Sequence, residues 1–226
     1  MEGAVSDVGI CNLAYAGRLE ELRAQLLHDR ALATKADQDN RTALHWACSA
    51  GRTDVADLLL GLGVPVDDKD DAGWTPLHIA ASAGRDEIVK ALIAKGAHVN
   101  AVNQNGCTPL HYAASKNEQE IAVMLLDNGA DPDATDHFES TPLHRAAAKG
   151  NLKMVQILLN YKASVNIQDS EGNTPLHLAC DEERVAEAEL LVSHGASIHI
   201  ENKEELTPLK VAKGGLGARL KRMVEG

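Results

Sequence analysis

Five of the ten histidines in the chain recur at a fixed spacing and are the first candidates for chemistry. They stand 33 residues apart, each at the end of a Thr-Pro-Leu-His segment or a variant of it: His45, His78, His111, His144 and His177. Imidazoles bind zinc and act as general bases. Zinc needs its ligands about 2 Å from one centre, whereas packed neighbouring helices lie about 10 Å apart. We therefore expect no metal site, and interpret each imidazole as hydrogen-bonded to the threonine hydroxyl or to nearby backbone.

The four cysteines also lack the spacing of a reactive or metal-binding set. Cys11, Cys48, Cys107 and Cys180 form no Cys-x-x-Cys pair. Cys48 and Cys180 fall where other copies of the repeat carry alanine, so we predict small buried core residues. Cys107 directly precedes the repeat threonine, at a tip, and is expected to be exposed. Since no zinc-protease, phosphate-loop or serine-nucleophile motif is present either, we predict no cofactor and no enzyme activity.

The same 33-residue spacing defines the structural unit that holds these residues. Full Thr-Pro-Leu-His copies begin at Thr75, Thr108, Thr141 and Thr174, and degenerate copies begin at Thr42 and Thr207. Threonine is a good N-cap and the following proline suits the first helical turn. A glycine ends this short helix, a second apolar run follows, and an Asp- or Asn-rich turn completes the unit. The pattern predicts helix, turn, helix and hairpin tip, and is identified as the ankyrin repeat.

Seven such repeats account for nearly the whole chain. The predicted fold is an all-α ankyrin-repeat solenoid of seven helix-turn-helix repeats with short β-hairpin tips, in a single domain over residues 1–226. A degenerate first copy lacks Thr-Pro, as suits an N-terminal cap, and the last copy adds a basic helix. The predicted repeats are about 3–36, 37–69, 70–102, 103–135, 136–168, 169–201 and 202–226.

Composition and charge narrow the classes of partner. The chain of 226 residues has a formal net charge of −11 and a pI of about 5.3. Such a chain repels phosphate backbones, so we expect no nucleic-acid binding and a basic partner surface instead. We find no signal-peptide pattern and no apolar stretch near the roughly 20 residues that cross a bilayer. Together with reduced cysteines, this leads us to expect a cytoplasmic and nuclear protein without a membrane partner.

The variable columns of the repeat predict the binding surface, because invariant columns form the stack. These columns precede the threonine by one residue or follow it by four or eight. Tryptophan and arginine are enriched at binding hot spots. Trp46 has the alternative of packing inward, and each tip aspartate either forms a turn or contributes to a negative field. The predicted partner-binding residues are Asp39, Arg41, Trp46, Asp71, Trp74, Tyr112, Lys116, Arg145, Lys149 and Glu182. They predict a partner whose basic part faces the first repeats and whose acidic part faces the middle ones.

Longer stretches resemble one family in particular. They are Thr-Ala-Leu-His-Trp-Ala-Cys-Ser-Ala-Gly at 42–51, Ala-Val-Asn-Gln-Asn-Gly-Cys at 101–107 and Ala-Ala-Ala-Lys-Gly-Asn-Leu-Lys-Met at 146–154, within a resemblance that runs from Met1 to Gly226. The chain is similar to the gankyrin family, ankyrin-repeat chaperones of proteasome assembly. We expect a monomer, and the resemblance implies that its concave face holds the C-terminal domain of an AAA+ ATPase subunit of the proteasome base. It also implies links to a cyclin-dependent kinase, to the retinoblastoma protein and to a ubiquitin ligase, and hence to the cell cycle and to oncoproteins. The family's groove contacts match Arg41, Trp46, Trp74 and Lys116, with Asp39, Asp71 and Glu182 as acidic partners.

The family's retinoblastoma-binding motif, Leu-x-Cys-x-Glu, is present as Leu178, Cys180 and Glu182. These residues are predicted to lie on a helix with Cys180 buried, so a partner that reads the motif in extended form would require local unfolding. The alternative to the chaperone is a kinase-regulating ankyrin protein that binds a cyclin-dependent kinase. Either function needs only a groove, so the residues alone do not rank the two.

Overall fold

The computed structural model describes residues 4–226, so the predicted start of the first repeat at residue 3 lies outside the described residues. From residue 4 to residue 226 the regular elements are helices and no residue lies in a β-strand, which confirms the all-α class. The predicted hairpin tips are tight turns. The helices form two compact units, residues 1–104 and 105–226. The prediction of one domain over the whole chain stays a prediction.

The first unit contains three helix pairs. Their bounds are α1 Gly9–Ala16, α2 Leu19–His28, α3 Ala43–Ala50, α4 Thr53–Gly61, α5 Pro76–Ala83 and α6 Asp86–Ala94, with a 3-10 turn at Arg30–Thr34. The first helix of each pair, which we call the inner helix, packs against the outer helix that follows it. Inner helix α3 contacts both α1 and α5, and outer helix α4 contacts α6. The unit is therefore two rows of helices with a core between them.

The second unit repeats this arrangement with four pairs. Their bounds are α7 Pro109–Lys116, α8 Gln119–Asp127, α9 Pro142–Lys149, α10 Leu152–Asn160, α11 Pro175–Asp181, α12 Val185–Ser193, α13 Pro208–Val211 and α14 Leu216–Glu225. Consecutive inner helices contact one another, and so do consecutive outer helices. The leucine of the repeat segment is fully buried in α7, α9 and α11. Because α13 has only four residues, the last pair is the predicted degenerate cap.

The histidine of each repeat segment fastens the start of its inner helix. In α7, the Thr108 N–H donates to His111 Nδ1 over 3.0 Å, and the Thr108 hydroxyl lies 2.9 Å from the same nitrogen. This is a capping box in which the imidazole takes the place of the usual glutamate. Because Nδ1 accepts, the proton resides on Nε2. Nε2 donates over 2.9 Å to the carbonyl of Ser140, in the tip of the next repeat.

The same bridge recurs within both units and confirms the structural interpretation of the histidines. The Nε2 atoms of His45, His144 and His177 lie 3.2, 2.8 and 2.8 Å from the carbonyl oxygens of Trp74, Asn173 and Leu206. Burial lowers the pKa of His45, His111, His144 and His177, although hydrogen bonds to backbone carbonyls favour the charged form. These imidazoles are therefore neutral links between one repeat and the next.

An acidic or amide side chain five residues before the threonine shapes each described tip. Asp70 Oδ1 accepts the N–H groups of Ala72 and Trp74 over 3.0 and 2.9 Å. The corresponding oxygen does the same in the tips of Asp37, Asp136, Asp169 and Asn202. One side-chain oxygen thus satisfies two backbone donors that a tight turn leaves unpaired. The turn-forming interpretation of Asp37 and Asp70 is confirmed.

Successive tips are also joined directly through the backbone. In the first unit, the Asp71 N–H donates to the Asp39 carbonyl over 3.0 Å. In the second unit, the Ser170 N–H donates to the Phe138 carbonyl over 2.8 Å. These bonds fix each tip relative to the one before it.

A glycine and an arginine meet at several junctions between repeats. Gly17 ends α1 with φ of 75°, and a β-carbon there would lie 2.8 Å from Arg52 Cδ of the next repeat. The Arg52 Nε–H donates to the Tyr15 carbonyl over 3.0 Å. Gly150 and Arg184 form the same pair, with a β-carbon 2.9 Å from Arg184 Cδ. The missing side chain of the glycine makes room for an arginine that caps the preceding helix.

One junction of the second unit uses a different pair. Asn117 takes the place of the glycine and adopts φ of 59°. Asn151 takes the place of the arginine, and its Nδ2–H donates to the Ala114 carbonyl over 3.0 Å. The Asn151 amide therefore caps the C-terminal end of α7, as Arg52 and Arg184 cap the ends of α1 and α9.

We predict that stability falls as the pH is lowered from 7.5 to 5.5. The folded pKa of four histidines lies below the unfolded value of about 6.5, so the unfolded chain binds more protons as the pH falls through that value. The stabilisation is complete above that pH and is lost below it. We expect at least ~1 kcal/mol lower free energy of unfolding at pH 5.5, measured by urea denaturation. A midpoint that is unchanged over this range would contradict the neutral bridges.

We predict that glycine stabilises two of the tips. Asn40, Glu139 and Glu205 occupy the place of the turn glycine and have φ of 59°, 59° and 61°. A side chain is strained in this left-handed region, least so for asparagine. Glu139→Gly and Glu205→Gly should each raise the free energy of unfolding by about 1 kcal/mol, and Asn40→Gly should change it little. A urea midpoint that falls in both glutamate variants would show that strain is not what limits these tips.

Candidate partner-binding surfaces

The ten predicted partner-binding residues all present surface to solvent. Asp39, Asp71, Lys116, Lys149 and Glu182 are exposed, and Arg41, Trp46, Trp74, Tyr112 and Arg145 are half-buried. They lie on the inner helices or on the tips beside them. We call their surface in each unit the inner face of that unit.

Arg41 is the centre of the inner face of the first unit. Its Nε–H donates to Asp70 Oδ2 over 3.0 Å, and its guanidinium carbon lies 4.9 Å from the ring centroid of Trp46. The Asp70 side chain is only 3% exposed, whereas that of Arg41 is 29% exposed. Arg41 therefore also has a structural role, because it neutralises a buried carboxylate.

Trp46 is held by polar and aromatic contacts on its other sides. Its Nε1–H donates to Asp37 Oδ2 over 2.8 Å, and Tyr15 packs edge-on with its ring centroid 5.8 Å away. Burial opposes ionisation of Asp37, but hydrogen bonds from Ser6, Trp46 and two backbone N–H groups lower its pKa. The indole is a fixed platform under Arg41, with one part packed inward and another part accessible.

Trp74 belongs to the same inner face. Its ring centroid lies 5.9 Å from that of His78, with the planes inclined by 55°. Trp74 and Arg41 line one shallow pocket of about 210 Å³ together with Ser49, Ile79, Ser82 and Ala83. The structure thus brings Arg41, Trp46 and Trp74 together in the first unit.

Arg145 has the corresponding position in the second unit. Its Nη2 donates to Asp136 Oδ2 over 2.9 Å, and its guanidinium carbon lies 5.7 Å from the ring centroid of Tyr112. Burial opposes ionisation of Asp136, but the hydrogen bond from Arg145 and those from backbone N–H groups lower its pKa. An arginine on an aromatic ring, fixed by a buried aspartate, therefore occurs on both inner faces.

The structure corrects the prediction for Cys107. Its side chain is buried at 2% exposure, not exposed. The Arg145 Nη2–H also contacts Cys107 Sγ over 3.0 Å, so the arginine covers the thiol. The other three cysteines are buried as predicted for Cys48 and Cys180. Burial raises the pKa of Cys180 to about 12, so this thiol is unreactive.

Fewer residues than expected carry the accessible charge of the inner faces. The carboxylates of Asp37 and Asp70 form hydrogen bonds within the protein. Asp39 and Asp71 therefore provide the accessible negative charge of those tips. Arg145 is paired with Asp136. The exposed positive charge of the second unit's inner face therefore rests on its two lysines, Lys116 and Lys149.

The Leu-x-Cys-x-Glu motif lies on a formed helix. Leu178 and Cys180 are within α11, and Glu182 is its C-cap. Cys180 has no exposed surface, whereas Glu182 is exposed. The prediction that Cys180 is buried on a helix is confirmed, whereas Glu182 ends the helix instead of lying within it.

Residues 4–226 contain neither a cluster of metal ligands nor a membrane-spanning helix. No cluster of three or more His, Cys, Asp or Glu side chains in this range is arranged to hold a metal ion. No helix in this range is long and apolar enough to cross a membrane. The four free thiols of the described chain are buried.

The sequence reasoning missed the residues that fix the arginines. Asp136 was not singled out, and Asp70 was considered only as a turn former or a source of negative field. The signal was present, because Asp37, Asp70, Asp136 and Asp169 recur in one column at multiples of 33 residues. That column shows that a carboxylate is needed, but not which cation its second oxygen meets.

Comparison with known families agrees with the repeats. Family models of ankyrin repeats match residues 62–136 and 128–202 in a three-copy form, and residues 26–80 in a many-copy form. The crystal structure of the ankyrin repeat domain of Bcl-3, described as a unique member of the IkappaB protein family, has a TM-score of 0.83 and 29% identity. That match covers 96% of this chain and 98% of the other.

Curated relatives match a shorter stretch more closely. Over 75 residues the chain is 76% identical to the 26S proteasome non-ATPase regulatory subunit 10 of Mus musculus and 77% identical to that of Homo sapiens. The matches cover 33% of this chain, and the chain spans about a third of the length of the curated relatives it matches (32% and 33%). Subunit 10 is also called gankyrin, so the resemblance to that family is confirmed over this stretch.

We predict that Arg41→Ala lowers the free energy of unfolding by about 2 kcal/mol, because it leaves the buried Asp70 charge unpaired. The matched control is the double variant Arg41→Ala with Asp70→Asn. Asparagine keeps the Oδ1 that accepts from Ala72 and Trp74 but removes the charge, so part of the loss should be recovered. Urea unfolding of both variants tests this. An Arg41→Ala variant as stable as the parent would remove the ion pair from the fold.

Proposed function

The chain belongs to the ankyrin-repeat family, and we propose that it is a non-catalytic assembly chaperone of the proteasome base in the cytoplasm and nucleus. In this proposal the inner faces bind the C-terminal domain of an AAA+ ATPase subunit and release it when the ring assembles. The name of the curated relatives supports a role at the proteasome, and the family supports protein binding as the mode of action.

The observation that carries the proposal is the pair of preorganised arginines. Arg41 and Arg145 each lie on an aromatic ring and are each fixed by an aspartate that is almost fully buried. A side chain already held in place loses little conformational entropy when a partner binds. Arginine and aromatic residues in such positions are typical of binding hot spots. The same arrangement serves no evident catalytic step.

The lysines and the remaining N–H groups of the arginines define the partner's chemistry. Lys116 and Lys149 are exposed cations on the inner face of the second unit. Arg41 uses Nε for Asp70, and in this proposal its two terminal nitrogens donate to a carboxylate of the partner. The accessible Asp39 and Asp71 favour a basic group beside them. The proposed ATPase domain therefore presents carboxylates to both faces and a basic group to the tips of the first unit.

The family resemblance also implies three other partners, which would use different parts of the surface. A cyclin-dependent kinase and a ubiquitin ligase would need only an inner face. The retinoblastoma protein would need the Leu-x-Cys-x-Glu motif, whose cysteine is buried in α11. We propose that the folded chain withholds this motif and presents it only when α11 opens.

We predict that Lys116→Glu weakens binding of the purified ATPase C-terminal domain. The loss of affinity should be larger at 50 mM salt than at 500 mM salt, because ions screen contacts between exposed charges.

Trp74→Ala should cost ~2 kcal/mol of affinity, in the hot-spot range, and less than ~0.5 kcal/mol of stability. Calorimetric titration beside urea unfolding measures both quantities.

The control is Lys153→Glu, which reverses an exposed charge on outer helix α10. Its affinity for the ATPase domain should equal that of the parent. Equal affinities of Lys116→Glu and the parent at low salt would remove the second inner face from the interface. If a cyclin-dependent kinase binds the chain and the ATPase domain does not, the chaperone proposal fails and the kinase alternative replaces it.

A further inference from the structure

A groove lies on the outer-helix side of the first unit, away from the inner face. It has a volume of about 450 Å³. Residues of α2, of the 3-10 turn and of the end of α4 line it: Arg23, Leu26, Leu27, Arg30, Leu58 and Leu62. We call it the outer groove. A pocket of this size is within the range that holds a ligand or the side chains of a bound peptide.

Four of the six residues that line the outer groove are leucines. Leu27 is 84% exposed, the most exposed of the large apolar residues in the described chain, while its neighbour Leu26 is 6% exposed. Leu58 and Leu62 lie one helical turn apart and are half-buried. Covering an exposed leucine with an apolar side chain is favourable because it removes apolar surface from water. The exposed Leu27 therefore marks a place where a partner gains affinity.

The rim of the outer groove is positive. Arg23 lies in α2 and Arg30 begins the 3-10 turn that follows α2, and both side chains line the outer groove. The Arg30 Nη2–H donates to the Leu62 carbonyl over 3.1 Å, which holds this guanidinium at the edge of the apolar wall. Arg23 has one weak, solvent-exposed ion pair, with Glu20 Oε2 at 3.8 Å. The outer groove therefore places two cations beside four leucines, although the net charge of the chain is −11.

We propose that the outer groove binds an acidic amphipathic peptide segment of a partner protein. One or two apolar side chains of the segment cover Leu27 and contact Leu58 and Leu62, while carboxylates at their two sides meet Arg23 and Arg30. Carboxylates on both sides of the apolar side chains complement the two guanidinium groups that line the groove. Arginine suits this role because its planar fork binds a carboxylate through two hydrogen bonds.

This site is independent of the proposed chaperone function. It uses α2 and α4, whereas Arg41, Trp46 and Trp74 lie on the inner face of the same unit. A partner on the inner face would leave the outer groove accessible. The chain would then bind two protein segments at once, one by each face of its first unit.

The test uses a randomised peptide library displayed on phage and selected on the full chain. Peptides that bind the parent are counter-selected on Leu27→Ser, which should fold normally because Leu27 is 84% exposed. The pool that depends on Leu27 should be rich in Asp and Glu beside Leu or Phe. For a peptide from this pool, Arg30→Glu should raise the Kd at least tenfold, which is about 1.4 kcal/mol.

Two controls separate this site from the others. Leu152→Ser changes an exposed leucine of outer helix α10 and should leave peptide affinity unchanged. Leu27→Ser should leave the affinity for the ATPase domain unchanged, so failure of either proposal is seen separately. The proposal is overturned if no pool depends on Leu27, if that pool is basic or neutral, or if dodecanoate displaces the peptide completely. The last result would assign the groove to an aliphatic carboxylate.

Discussion

At four junctions within the two units, a neutral imidazole positions one repeat relative to the next. Its Nδ1 accepts from the threonine that begins its own helix, and its Nε2 donates to a carbonyl in the following tip. One ring thus replaces two separate capping groups and crosses the boundary between repeats. The arrangement needs a side chain that is donor and acceptor at the same time, and neutral histidine is the side chain that offers both on a rigid ring. The fold therefore depends on the protonation state of a few buried nitrogens.

The aspartate column links this scaffold to the binding residues. One carboxylate oxygen is committed to two N–H groups of its tip, so the second oxygen has a fixed position and direction. In the tips of Asp70 and Asp136 that oxygen fixes an arginine on an inner face. The same carboxylate thus forms a turn and orients a guanidinium. For this reason the candidate binding residues cannot be separated cleanly from those that hold the fold.

The period of the sequence was enough to predict the repeats, the caps and the role of the histidines, because these depend on contacts that recur in every unit. The position of the candidate binding residues at the surface was also predicted, since variable positions were compared across copies. The pairing of each arginine with a particular aspartate was not predicted. Arg41 reaches the aspartate of the following tip, whereas Arg145 reaches the aspartate of its own repeat. One column of aspartates permits both pairings. Which aspartate a long, flexible arginine side chain reaches depends on the three-dimensional structure and not on the spacing in the sequence. The burial of Cys107 under Arg145 was missed for the same reason.

The glycine and arginine at the repeat junctions have a consequence for exchanging repeats between positions. Arg52 needs a glycine at position 17 of the preceding repeat, and Arg184 has the same requirement at position 150. At the Asn117 junction, an arginine arriving in place of Asn151 would meet a side chain instead of a glycine. Repeats are therefore not interchangeable modules, although they share one backbone. A duplicated, deleted or transplanted repeat must carry a matching end for each neighbour, so the smallest unit that can be moved intact runs from the middle of one repeat to the middle of the next.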